Sequence, residues 1–180
     1  LETGCWQART DSFMISFMSI EDSPGKRNQE LRKFVELLKG YLPGFRGRVA
    51  LQINFSCPNV GLHSDTLVNE IQDGLEDAGR LDIPLIPKIN LLVRPSMLKE
   101  VVNHEACDAI CVSNTLPWGV LPKEIDWKGI FGTHVSPLAH LNGGGLSGAP
   151  LFRLLLRWLE EAHDIGMPPI IAGGGIMSSK

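Results

Sequence analysis

The 180-residue chain has no run of lysine or arginine, and its 17 basic and 20 acidic residues leave a formal net charge of −3. Such a balance gives no field for holding a phosphate backbone, so nucleic acid is not the expected partner. Long apolar runs are also missing. Each is interrupted within about 10 residues, short of the roughly 20 that span a bilayer. The opening segment has neither the basic start nor the apolar centre of a secretory signal. No membrane partner is expected, and the expected location is cytoplasmic. The four cysteines (Cys5, Cys57, Cys107, Cys111) form no Cys-x-x-Cys pair. A chain of this size builds a core without disulfide staples, which predicts reduced thiols. The five histidines carry neither His-x-Glu nor His-Glu-x-x-His, so no metal site is expected, and His134 and His140 read as solvated loop residues. There is no repeated period and no low-complexity tract.

Two hydrophobic patterns alternate along the chain. Short apolar runs at 13–19, 49–55, 84–89, 108–113 and 169–172 are rich in Ile, Val, Leu or Phe without strict alternation, as strands buried on both faces are. Longer segments between them have helical spacing. Leu31, Phe34, Val35, Leu38 and Leu42 share one face; so do Leu67, Ile71, Leu75 and Ala78, and likewise Leu151, Leu154, Leu155, Trp158 and Ala162. Pro150 stands near the start of the last stripe, where its missing N–H costs nothing. A shorter helix is expected over 95–105, with Cys107 at its end and Cys111 in the following strand. The order β-α-β-α-β-α-β-loop-α-β requires parallel pairing and an α/β layered fold. Pattern alone does not separate an open sheet from a closed barrel. A complete eight-stranded barrel takes about 250 residues, so the barrel reading makes the five strands part of one.

In parallel α/β folds the chemistry gathers at the carboxyl ends of the strands. The second strand ends in Asn54-Phe55-Ser56-Cys57-Pro58-Asn59, two carboxamides, a hydroxyl and a thiol within one turn. Carboxamides both donate and accept, and a thiolate, whose ordinary pKa of about 8.5 needs only modest help near neutral pH, can serve as a proton acceptor. The same residues also fit a plain turn with a buried cysteine. Lys88 is the single cation in Pro84-Leu85-Ile86-Pro87-Lys88-Ile89-Asn90, and it either snorkels to solvent or faces an anionic or electron-rich ligand. The fourth strand ends in Ser113-Asn114-Thr115 and opens a long segment, 116–142. Its Trp118, Trp127, Ile130 and Phe131 fit either a partly ordered cover over a ligand or surface packing. Gly143-Gly144-Gly145-Leu146-Ser147-Gly148 precedes the third long helix, and Gly173-Gly174-Gly175 follows the fifth strand. Two glycine loops of this kind fit a barrel phosphate pocket or plain turns. Neither has the spacing of a Rossmann fingerprint or the lysine of a P-loop.

Taken together, Asn54-Phe55-Ser56-Cys57-Pro58-Asn59, Pro87-Lys88-Ile89, Ser113-Asn114-Thr115, Gly144-Gly145-Leu146-Ser147-Gly148 and Gly173-Gly174-Gly175-Ile176 resemble the dihydroorotate dehydrogenase family in order and spacing. The membrane-associated class of that family has serine where Cys57 stands, so the chain is similar to the soluble class. The resemblance implies a parallel (β/α)8 TIM-barrel type fold, present here as an incomplete barrel covering about strands 3 to 7, with 1–180 as a single FMN-binding domain. It implies an FMN-dependent oxidoreductase that converts (S)-dihydroorotate to orotate in pyrimidine synthesis. Cys57 and Lys88 would be catalytic, Cys57 removing the C5 proton and Lys88 facing the flavin. Asn54, Asn59, Asn114 and Thr115 would bind substrate. Asn54, Lys88, Ser113, Gly145, Gly148, Gly174 and Gly175 would contact FMN. The expected partners are the small-molecule substrate dihydroorotate and a second copy of the chain in a homodimer. Two other readings stay open, a dihydropyrimidine dehydrogenase-like enzyme acting on uracil or thymine, and a flavin-binding fragment without turnover. The electron acceptor, whether fumarate, NAD or quinone, is not legible in this stretch.

Overall fold

The computed structural model describes residues 4–55, 64–141 and 143–178. Strand β1 (Phe13–Phe17) leads into helix α1 (Pro24–Tyr41). Ser23 caps this helix by accepting from the backbone N–H of Lys26 at 3.4 Å, and a proline sits in the first turn, where no donor is lost. Leu31, Val35 and Leu38 form its buried stripe. A 3₁₀ turn containing Pro43 (Leu42–Gly44) ends the helix before β2 (Val49–Asn54).

Helix α2 (Ser64–Gly79) follows, with Ile71, Leu75 and Ala78 fully buried. Gly74 lies mid-helix, where a Cβ would fall 2.8 Å from the ring of Phe55, so the missing side chain lets the helix close onto the end of β2. Strand β3 (Leu85–Ile89) contains Pro87, and its pairing with β4 (Ile110–Val112) begins only at Lys88↔Cys111, just past the missing donor. The helix expected over 95–105 is shorter than its pattern suggested: a 3₁₀ turn (Pro95–Leu98) and one helical turn, α3 (Lys99–Val102). Cys107 therefore lies in the connection to β4 rather than at a helix end.

The segment 116–142 is not a plain loop. Strands β5 (Leu116–Pro117) and β6 (Gly145–Leu146) pair antiparallel and close its neck, and a short helix, α4 (Trp127–Phe131), lies inside it. Asp126 caps α4 by accepting from Gly129 N–H at 2.8 Å, and Gly132 ends it in the left-handed conformation. Helix α5 (Phe152–Asp164) and β7 (Ile170–Ala172) complete the order.

The main sheet is parallel throughout and runs β1-β2-β3-β4-β7, in chain order. Leu51 and Ile53, Leu85 and Ile89, and Ile110 and Val112 all project to one face. There they form a single core with Leu31, Val35 and Leu38 of α1, Ile71 and Leu75 of α2, and Leu155 and Trp158 of α5. Each fully buried leucine or isoleucine contributes about 1.5–3 kcal/mol. A doubly wound open sheet reverses its strand order at a switch point and carries helices on both faces. Sequential order with helices on one face is barrel winding, so the fold is α/β of the TIM-barrel type, with five of its strands in this sheet.

In barrel winding the face turned away from the helices, here carrying Met14, Gln52, Asn54, Ile86, Lys88, Cys111 and Ile171, is the concave one. Burial on both faces, expected for all five strands, holds for the middle of the sheet only. In β1 the side chains alternate between half-buried and exposed, and Ile171 and Ala172 of β7 are exposed, because these are the outer strands of the arc. An apolar depression of about 650 Å³, lined in part by Met14, Ala50, Ile86 and Ile171, occupies the concave face toward the strand N-termini. Among the described residues no helix is long and apolar enough to cross a membrane.

Candidate active site at the strand carboxyl ends

Parallel register places the polar strand ends side by side. Asn54, the last residue of β2, pairs with Lys88 of β3, and Lys88 pairs with Cys111 of β4. All three side chains belong to the concave face, since residues directly across a ladder point the same way. Two residues beyond β4, the Asn114 backbone N–H donates to the carbonyl of Ile89 at 3.1 Å, which holds that residue against the end of β3. Its carboxamide Nδ2 then donates to Asn54 Oδ1 at 3.0 Å, joining two residues 60 positions apart.

The orientation of both amides follows from their partners. Asn114 Oδ1 accepts from the backbone N–H of Thr115 at 2.9 Å, so its oxygen is committed and its NH₂ faces Asn54. Asn54 Nδ2 in turn contacts Met18 Sδ at 3.3 Å. A carboxamide nitrogen has two hydrogens, so the second N–H of Asn114 is available to a ligand oxygen. The pair thus suits a ligand edge bearing carbonyl or carboxylate oxygens.

A second cluster forms where the glycine loops meet. Ser113 donates its backbone N–H and its hydroxyl to the carbonyl of Gly173 at 2.8 and 2.9 Å. Gly174 (φ +126°) passes so close that a Cβ would fall 2.6 Å from Ser113 Oγ. At Gly175 (φ +76°) a Cβ would fall 2.6 Å from the carbonyl oxygen of Gly148 and 2.9 Å from the backbone nitrogen of Phe152, the first residue of α5. Side chains are excluded on both counts, conformation and space. This backbone cradle brings Ser113, Gly148, Gly174 and Gly175 together at the entry to α5. Gly145 is placed by a different neighbour. It lies in β6 opposite Pro117, with Thr115 as its neighbour.

Charge enters the site through Lys88. Burial pushes the Cys111 thiol up from its ordinary value, and the Lys88 ammonium pulls it partly back, so the two groups feel each other on the concave face. The sequence singled out Lys88 but treated Cys111 only as a strand residue, and it passed over Met18. Both have apolar-type side chains at positions whose importance appears only once register is known. Cys57 and Asn59 lie outside the described residues.

Within 116–141, Trp127 and Phe131 gather around Trp118, with ring centroids 4.8 and 5.0 Å from it. His134 and His140 are exposed. Cys107 and Cys111 are free thiols. Among the described residues no group of His, Cys, Asp and Glu could hold a metal ion.

No family model matches the chain. Curated proteins do. The catalytic subunit of dihydroorotate dehydrogenase B (NAD(+)) from Endomicrobium trichonymphae is 28% identical over 150 residues, covering 81% of this chain and 45% of that protein. The same subunit from Thermodesulfovibrio yellowstonii is 29% identical over 160 residues, covering 84% and 48%. Dihydroorotate dehydrogenase A (fumarate) from Lactobacillus helveticus is 31% identical over 140 residues, covering 73% and 41%. The chain therefore spans somewhat under half the length of the relatives it matches.

Proposed function

Since the chain is a dihydroorotate dehydrogenase family segment over most of its length, we propose that it serves the oxidation of (S)-dihydroorotate to orotate in pyrimidine synthesis, with FMN as the bound cofactor. The observation that carries this reading is the meeting of Asn54 and Asn114, hydrogen-bonded at 3.0 Å, beside Lys88. A flat heterocycle with carbonyl and carboxylate oxygens needs such converging N–H donors. Thr115, next in the chain to Asn114, and Asn59 complete the substrate set.

The residues also suit the cofactor. The cradle of Ser113, Gly148, Gly174 and Gly175 at the start of α5 excludes side chains, as a phosphate bound by backbone N–H groups requires. Bound FMN supplies the two-electron acceptor for the carbon–carbon bond being oxidised. The protein's own contribution is placement and charge. Cys57, as its thiolate, removes the proton from C5, a step for which this side chain is suited once its pKa is matched to the medium. Lys88 holds a fixed cation on the concave face, favouring negative charge that develops beside it. Asn54 and Asn114 fix the ring so that proton removal begins from one geometry. A homodimer and a cytoplasmic location belong to the same proposal.

The test is anaerobic bleaching of the flavin band near about 450 nm by dihydroorotate in the FMN-loaded protein. Stoichiometric bleaching is expected, and Cys57→Ala is expected to keep FMN bound while abolishing it. Bleaching by dihydrouracil but not dihydroorotate, or unaltered reduction in Cys57→Ala, would overturn the substrate or the base respectively.

A further inference from the structure

Gly145 is a glycine without a conformational reason. Gly143, Gly144 and Gly148 around it have positive φ, but Gly145 does not, and its backbone is that of an ordinary β residue in β6. Space is the reason instead. A Cβ at position 145 would lie 2.5 Å from Thr115 Oγ1 and 2.7 Å from Thr115 Cβ. The hydroxyl could swing away by a rotamer change; Cβ cannot move without the backbone.

That backbone is held on every side. Thr115 N–H is bound by Asn114 Oδ1 at 2.9 Å, and Asn114 N–H by the Ile89 carbonyl at 3.1 Å. Leu116 is fully buried and pairs with Leu146 in the ribbon, and both belong to a second apolar cluster with Ile125, Trp127 and Leu151. A side chain at 145 must therefore displace Thr115 and, through the bond to its N–H, turn the Asn114 carboxamide away from Asn54.

We infer that Gly145 is a positioning residue for substrate recognition: its bare α-carbon makes the room in which Thr115 and Asn114 keep their places, and it takes no part in holding phosphate. The inference rests on the substrate reading given above and assigns Gly145 to the substrate side of that site instead of the cofactor side.

A four-protein comparison tests it: wild type, Gly145→Ala, Thr115→Gly and the double variant, each loaded with FMN and titrated with orotate. Gly145→Ala is expected to weaken orotate at least about tenfold with FMN retention unchanged, the mark of a lost ground-state contact. In the Thr115→Gly background, where the obstructing atoms are gone, the same change is expected to alter orotate affinity by less than about twofold, a non-additivity that signals direct coupling. The thermal midpoint gives a reading independent of orotate, since the drop caused by Gly145→Ala should disappear in that background even if the single variant folds poorly. Loss of FMN with orotate affinity intact, or an equal penalty in both backgrounds, overturns the assignment of Gly145. Wild-type protein that is not bleached by dihydroorotate overturns the substrate reading, and the midpoint comparison then still decides the steric pairing.

Discussion

Cys107 and Cys111 stand four positions apart with opposite electrostatic neighbours. Burial raises both thiols, but Cys107 also meets the carboxylate of Asp108 and is pushed up to about 11, while Cys111 meets Lys88. The sign of the pH effect at Cys107 follows. Well below pH 9 the thiol is protonated in both folded and unfolded chains. Between about 9 and 11 the unfolded chain ionises while the folded one keeps its proton, so stability falls as pH rises through that window and this contribution levels off above it. Urea denaturation across that range is expected to show the decline, and Cys107→Ala to flatten it; an unchanged slope would count against the burial argument. At this scale the sequence was most legible where a polar side chain interrupted an apolar run, as at Asn54, Lys88 and Asn114. It was silent on Met18 and Cys111, whose side chains look like ordinary core until a neighbour is seen.

Helices α1 and α2 are joined by more than their leucine stripes. Arg27 donates from Nε and Nη2 to the two carboxylate oxygens of Glu70 at 2.6 and 2.7 Å, with both residues buried, and its Nη1 reaches the carbonyl of Glu21 at 3.0 Å. Ser19 and Glu30 hydrogen-bond nearby, so the entry to α1 is fastened by a polar set. Glu70→Gln removes the carboxylate charge held against the buried guanidinium and should cost roughly 3–5 kcal/mol, whereas replacing Arg27 by Met together with Glu70 by Leu should recover most of it. Chemical denaturation of the two variants checks this, and equal losses would show that the pair acts through packing alone. The helices themselves were legible from their spacing, but this bond was not, because its partners lie 43 positions apart on two helices whose relative placement the pattern does not fix. The ribbon of β5 and β6 escaped for a different reason: two-residue strands have no periodicity to detect. The helix over 95–105 was overestimated because its helical hydrogen bonds stop at Asn103, whose N–H bonds back to Lys99, and the polar residues that follow give no pattern that marks this end.

The largest scale shows what the arc leaves uncovered. Helices clothe one face of the sheet, while Met14 and Ile171 on the concave face are 42% and 43% exposed and β1 and β7 end the sheet. Unpaired parallel edges beside apolar surface invite further pairing. The 180-residue chain expressed by itself is expected to self-associate, as dimers or larger assemblies, in size-exclusion chromatography, and Ile171→Lys to shift them toward smaller species. A wild-type profile at 19.8 kDa would refute this. The barrel class, left open by hydrophobic pattern alone, was decided by strand order and by the side on which the helices lie, neither of which a linear pattern contains.

The stapled neck of the 116–146 excursion bears on how quickly the sheet can be completed. Strand β7 joins β4 across the longest gap in the series, Ile110 to Ile170, while the ribbon ties Leu116 to Leu146 within it. A flexible tether becomes less costly to close by about 0.6 kcal/mol each time its free length is halved. A ribbon that zips early therefore shortens the search of the last strand, and slackening it should delay the final step of assembly more than it weakens the finished molecule.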